Sequence, residues 1–248
     1  MPHPLFDLTG KTALITGGSR GLGREMALAF ADAGADVIIS SRKADACEAV
    51  ADEVRAKGRR AAAMPAHAGR WDEMDALAEC AWDEFGAIDL LVANAGMGPA
   101  VPSHEVSEQL FDSVVSLNFK GPFRLCANIA HRMSEGGGGT IIATSSIASL
   151  EPMPNVVPYA GAKAALNAMI VSLAAEYGPK VRVNAIAAGP FLTDISKAWT
   201  EEAREHSSNA LGRPGRPEEI VSTALWLASP SSSFVTGAIV RCDGGPRR

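Results

Sequence analysis

Lys11-Thr-Ala-Leu-Ile-Thr-Gly-Gly-Ser-Arg-Gly-Leu-Gly23 is the stretch that decides the fold. Residues 11–16 read as a buried strand, which breaks into a glycine turn. A helix follows over 24–33, with apolar residues at Met26, Leu28, Ala29 and Phe30. Strand, glycine turn and helix form the setting in which such glycines carry meaning. Gly17 permits the tight turn, Gly21 lets backbone approach a pyrophosphate, and Gly23 lets helix pack closely on strand. The unpaired N–H groups of the helix start then face the phosphates. The glycines fall at spacings of four and then two, unlike the commoner G-x-G-x-x-G.

The alternation continues along the chain. Strands are predicted over 36–41, 60–65, 88–93, 140–144, 181–187 and 238–242. Helices are predicted over 45–57, 71–85, 108–133, 158–177 and 217–228, with Asn118 near the middle of the long one. Seven short strands separated by helices predict an α/β, doubly wound fold of Rossmann type, with a seven-stranded parallel sheet covered on both faces. Its ligand crevice would lie at the strands' C-terminal edge. The chain shows no repeats or linker, so residues 1–248 are expected to form one domain, with a substrate loop over about 190–212.

The second strand ends in Ser41-Arg42-Lys43, where an NAD-type site places an acid for the ribose 2′-hydroxyl. The planar fork of Arg42 suits a 2′-phosphate instead, and Arg20 in the glycine turn points to the same neighbourhood. This pattern favours NADP(H) over NAD(H).

Further along, Ser145-Ser146 precede Tyr159-Ala-Gly-Ala-Lys163. On a helix, Tyr159 and Lys163 lie one turn apart on one face. An ammonium beside a phenol favours the phenolate and brings the tyrosine into the range useful for proton transfer. Pro158 suits the first helical turn. The other tyrosine, Tyr177, sits at a helix end before Gly178-Pro179, where capping or packing accounts for it.

Composition excludes other classes. The net charge is −5 without a basic cluster, which argues against a nucleic-acid partner. Cys47, Cys80, Cys126 and Cys242 are scattered without metal or redox spacing, as are the five histidines, so no metal site is expected. The N-terminus lacks the regions of a signal peptide, and no uninterrupted apolar run would span a bilayer. A cytoplasmic protein without a membrane partner is expected.

Taken together, Thr16-Gly-Gly-Ser-Arg-Gly-Leu-Gly23, Asn94-Ala-Gly96, Asn118, Ser146, Tyr159-Ala-Gly-Ala-Lys163 and Asp243-Gly-Gly245 resemble the short-chain dehydrogenase/reductase family over essentially the whole chain. The resemblance implies that Tyr159 exchanges a proton with the substrate oxygen while hydride moves to or from a nicotinamide. Lys163 would hold the nicotinamide ribose and lower the Tyr159 pKa. Ser146, singled out over Ser145 by its separation from the tyrosine, would donate to the substrate oxygen. Asn118 would hold a relay water. The implied cofactor set is Gly17, Ser19, Arg20, Gly21, Leu22, Gly23, Ser41, Arg42, His67, Asn94, Ala95, Gly96, Tyr159, Lys163, Gly189 and Thr193.

Three positions depart from the family pattern. Ala93 stands where a second asparagine is common, Ala188 where a proline often precedes the glycine, and His67 where an acid usually contacts adenine. The chain is too short after its last strand for the substrate domain of a sugar-nucleotide epimerase, and enoyl reductases space tyrosine and lysine further apart. A non-catalytic NADP(H) sensor would not need Tyr159, Lys163, Ser146 and Asn118 together. An NAD-dependent alcohol dehydrogenase of the same family is the nearer alternative.

Two further expectations follow. Phe191, Leu192, Ile195 and Trp199, with Met97 and Met153, would line an apolar pocket for a carbonyl or alcohol substrate, either as a lid or as a helix packed on the body. The helix over 158–177 is apolar nearly all round and needs a second cover, which predicts self-association through it and the helix carrying Asn118. By the resemblance, the assembly would be a homotetramer.

Overall fold

The structure is a computed structural model that describes residues 4–246. Its strands are β1 (Thr12–Thr16), β2 (Asp36–Ser40), β3 (Ala61–Ala63), β4 (Leu90–Ala93), β5 (Gly139–Ser146), β6 (Val181–Ala188) and β7 (Ile239–Cys242). They form one sheet in the order β3-β2-β1-β4-β5-β6-β7, and every neighbouring pair is parallel. The order reverses between β1 and β4, which opens a crevice at the strands' C-terminal ends.

Eight α-helices cover the two faces: α1 (Gly21–Asp32), α2 (Ala44–Ala56), α3 (Trp71–Phe85), α4 (Glu108–Val115), α5 (Gly121–Glu135), α6 (Val157–Tyr177), α7 (Glu201–Glu205) and α8 (Val221–Ala228). Alternation along each strand divides the core. Leu14, Ile38, Leu91, Ile141 and Val183 pack against α3, α5 and α6. Ala13, Ile15, Val37, Ile39, Val92 and Ile142 pack against α1, α2 and α8.

Helix α1 illustrates how packing outweighs local preference. Two of its first three residues, Gly21 and Gly23, are poor helix formers, and a glycine in a helix interior costs about 1 kcal/mol. Burying Phe30 completely returns about 1.5–3 kcal/mol, and Met26 is buried as fully. The helix is therefore stable where its glycines are needed.

Three differences from the sequence reading bear on the site. The long helix over 108–133 is two helices joined by a π-helical turn, Ser116–Lys120, that carries Asn118. The 190–212 segment contains a 3-10 turn, Asp194–Ala198, and the short helix α7. Finally, α6 is long and apolar enough by length and composition to cross a membrane, although half of that stretch is buried inside the protein. It packs on β5 and β6, with Leu166, Ile170 and Leu173 in the core.

Candidate active site

The floor of the crevice is a polar clamp joining three strand ends. The Thr16 hydroxyl accepts from the backbone N–H groups of Asn94 (3.1 Å) and Ala95 (3.3 Å). Asn94 Nδ2 donates to the carbonyls of Thr16 (3.2 Å) and Gly17 (3.3 Å), while its Oδ1 accepts from Thr144 at 3.0 Å. The Asn94 side chain is thus committed to the protein itself. It shapes the glycine turn and does not present a free amide. Thr16, which opens the glycine motif, and Thr144 have no site role in the sequence reading; for Thr144, a threonine inside an apolar strand carries no distinguishing signal.

Above the clamp, Gly17 and Gly21 have positive φ (65° and 53°), which glycine adopts without strain. A Cβ on Gly23 would stand 2.3 Å from the Gly17 carbonyl oxygen and 2.6 Å from Asn94 Nδ2, so no other residue fits there. Arg20 precedes α1 in extended conformation, and no side chain caps the helix start. The first-turn N–H groups lie beneath a surface without Cβ atoms at 17, 18, 21 and 23. This cradle fits the pyrophosphate of a dinucleotide. Leu22 is partly buried and packs against the core, and so supports the turn from below.

The end of β2 adjoins this turn. The Ser41 hydroxyl donates to Ser19 Oγ at 2.8 Å, linking the glycine turn to the second strand. Beyond it opens a cavity of about 650 Å³, whose lining includes Arg42, His67, Arg70, Met97 and Asp112. Arg42 is exposed at its rim. His67 Nδ1 accepts from Gly69 N–H at 3.1 Å, which fixes its ring at the cavity wall. Arg20 does not join Arg42. Its Nη1 reaches across to Asp194 Oδ2 at 3.0 Å, so the two arginines expected to serve one phosphate are not brought together here.

On the other side of β1, β5, α6 and the π-helical turn bring four polar groups together. Both serines at the end of β5 are buried, but their partners differ: Ser145 donates to Asn167 Oδ1 at 2.6 Å, whereas Ser146 accepts from Ala148 N–H at 3.2 Å and hydrogen-bonds to Tyr159. Ser145 thus ties β5 to α6, and Ser146 is the serine beside Tyr159. Asn118 is fully buried: Nδ2 donates to the carbonyls of Met97 (2.8 Å) and Val114 (2.9 Å), and Oδ1 accepts from Met97 N–H (3.3 Å). The π-helical turn is the local irregularity that aims Asn118 at the 96–98 backbone. A Cβ on Gly96 would lie 2.8 Å from Asn118 Oδ1 and 3.4 Å from Lys163 Nζ, so this glycine keeps the two groups close. Gly98 lies against the face of the Tyr159 ring, near enough that a Cβ would meet it at 3.2 Å.

Lys163 is 3% exposed and donates from Nζ to the Thr144 carbonyl at 2.7 Å. Burial lowers its pKa to about 8. Its Nζ stands 5.9 Å from the Tyr159 ring centroid. Burial raises the Tyr159 pKa, and a hydrogen bond from Ser146 pulls the other way. The expected depression of the phenol by Lys163 is absent from this arrangement, in which the ammonium is bonded to the Thr144 carbonyl. Ser146 is the group that favours the phenolate.

The segment after β6 crosses over the glycine turn. Gly189 N–H donates to the Cys242 carbonyl at 2.9 Å, and a Cβ there would collide with Asp243. Thr193 reaches the start of α1, with its Cγ2 3.4 Å from where a Cβ of Gly21 would be. Phe191 is 7% exposed and packs in the core beside Gly215, so it is not part of a lid. Leu192 and Trp199 are partly exposed, as is Met153; the Ile195 side chain lies outside the described residues. Among the described residues no group of His, Cys, Asp and Glu could hold a metal.

The short chain dehydrogenase family model matches residues 11–204. The chain is 37% identical over 242 residues to 7α-hydroxysteroid dehydrogenase of Escherichia coli K12, covering 96% of this chain and 94% of that protein. Among solved structures, a 7α-hydroxysteroid dehydrogenase complexed with NADH and 7-oxoglycochenodeoxycholic acid superposes with a TM-score of 0.92 at 36% identity, covering 98% and 96% of the two chains. The NADPH-dependent 3-quinuclidinone reductase of Rhodotorula rubra gives a TM-score of 0.91 at 30% identity, covering 97% and 92%. The family acts on alcohols and carbonyls with a nicotinamide cofactor. With sheet order, glycine cradle and matched sequence in agreement, the chain belongs to the short-chain dehydrogenase family.

Proposed function

We propose that the protein interconverts a carbonyl and a secondary alcohol with NADP(H), using Tyr159 as general acid and base. The observation that carries this reading is the convergence of Ser146, Tyr159, Lys163 and Asn118 around the 96–98 backbone, beside the glycine cradle. When bound, the nicotinamide supplies or accepts the hydride at the substrate carbon. The Tyr159 hydroxyl gives its proton to the carbonyl oxygen in reduction and takes it back in oxidation. Ser146 donates to the same oxygen and stabilises the charge that develops on it. Lys163 holds the nicotinamide ribose, and Asn118 with the 96–98 backbone keeps a path for proton replacement.

Arg42 supports the choice of NADP(H). It stands at the end of β2, without an acid in the preceding positions, and no ion pair engages it among the described residues. The hydroxysteroid relative solved with NADH and the NADPH-dependent quinuclidinone reductase differ in cofactor. The choice in this chain therefore rests on its own residues. We assign the phosphate contact to Arg42, because Arg20 is engaged by Asp194.

The substrate is an apolar carbonyl compound or its alcohol, received beside Met97, Met153, Leu192 and Trp199. A panel of steroids, quinones, ketoses and acyl thioesters, followed by NADPH consumption, tests this. Apolar ketones should turn over best, and a clear preference for small sugars would refute the pocket.

A cytoplasmic homotetramer completes the proposal. Phe111 on α4, Phe123 on α5 and Val171 on α6 are exposed apolar side chains, and Phe123 lies 6.0 Å from the Trp71 ring. Light scattering at micromolar concentration should return four chains, and a monomer would contradict it.

A further inference from the structure

The ion pair between Arg20 and Asp194 joins residues 174 positions apart, across the mouth of the cofactor crevice. It connects the residue before α1 to the segment that carries Thr193 over Gly21. Asp194 has a second cation, Lys197, whose Nζ lies 2.5 Å from the other carboxylate oxygen. Arg20 engages Asp194 through a single nitrogen and is largely exposed, so its remaining donors face solvent at the crevice. The Ser19–Ser41 hydrogen bond places this arginine one residue from the contact between the glycine turn and the ribose end of β2.

We infer that Asp194 is a specificity-determining residue, which opposes a phosphate on the cofactor's adenine ribose by holding Arg20 away from it. The inference rests on the NADP(H) reading above. The phosphate gains least from an arginine already paired with a carboxylate, and releasing Arg20 from Asp194 would return a cation to the side of the glycine turn that adjoins β2. Lys197 moderates the effect by neutralising Asp194 from the other side. The pyrophosphate is common to both cofactors, so any influence of Asp194 on it cancels in the ratio of their affinities.

The test is the dissociation constant of each cofactor, NADPH and NADH, measured by fluorescence on the purified full chain at low and moderate salt. Asp194→Asn removes the charge and keeps an acceptor for Arg20. It should raise the preference for NADPH over NADH about two- to fivefold, the scale of an exposed ion pair. Lys197→Met should move the ratio the opposite way. In an Arg20→Met background, Asp194→Asn should have a smaller effect. A general loosening of the loop would weaken both cofactors alike and leave the ratio unchanged, and that result overturns the inference. So does a shift of Asp194→Asn towards NADH. Should wild type prefer NADH while the ratio still responds to Asp194 as stated, the NADP(H) reading fails and the role of Asp194 stands.

Discussion

Lys163 donates from Nζ to the carbonyl oxygen of Thr144 at 2.7 Å, tying the functional turn of α6 to the strand that ends in Ser146. Because the lysine is held this way, Ser146 is the neighbour that steadies the Tyr159 oxygen, while burial keeps the phenol protonated at neutral pH.

The first prediction follows from that protonation state. In the proposed mechanism reduction needs the phenol and oxidation the phenolate, and the Tyr159 pKa is raised from its ordinary value. The kcat/KM for ketone reduction should be flat between about pH 6 and 8, and that for alcohol oxidation should climb throughout. Tyr159→Phe should lower turnover by at least about 10²-fold with an unchanged circular dichroism spectrum. Near-normal turnover in that variant would remove Tyr159 from the chemistry.

Gly23→Ala probes the cradle. Alanine is the better helix former by about 1 kcal/mol, yet its methyl would sit 2.3 Å from a backbone oxygen that cannot withdraw without breaking the turn. Overpacking of this kind costs about 1–3 kcal/mol, so the clash should win. Thermal melts should show a net loss of stability, accompanied by weaker binding of both cofactors.

Glu219 provides a pH test of stability. Its carboxylate receives both ends of the Arg213 fork at 2.7 Å and the Arg216 backbone N–H at 2.7 Å, and its pKa falls from 4.5 to about 2. A carboxyl whose pKa is lower folded than unfolded contributes stability above the unfolded value and loses it as pH drops through the folded one. Glu219→Gln should therefore melt below wild type at pH 6, and the two curves should converge as pH falls from about 4.5 towards 2. A constant difference across that range would show that the loss comes from packing alone.

Much of this architecture was legible in the chain. Every strand expected from the pattern is present, and α3 (Trp71–Phe85) has the predicted bounds, whereas the single helix expected over 108–133 is broken in two. Short apolar strands between helices and the glycine turn are local signals, which one sequence carries in full. The π-helical turn was not legible, because Val114 to Lys120 continue the helical apolar pattern. The reason for the irregularity lies in Met97, whose backbone Asn118 must meet. The same holds for Arg20. From the sequence its neighbours are Ser19 and Gly21, whereas its partner Asp194 arrives from the far end of the chain. The choice between lid and body was open at Phe191 for a related reason: an aromatic after a strand can cover a crevice or fill the core, and Gly215 opposite decides for the core.

The central claim is that this family member uses NADP(H) through Arg42 for carbonyl chemistry at Tyr159. Its most direct test is kcat/KM for NADPH and NADH with one apolar ketone, on wild type and on the double variant Ser41→Asp with Arg42→Ile. Even one partly shielded arginine–phosphate bond is worth about 1.5–3 kcal/mol before solvent screening, so wild type should favour NADPH about tenfold or more. The double variant places a carboxylate at the ribose and should reverse the order. Equal or better use of NADH by wild type would contradict the account.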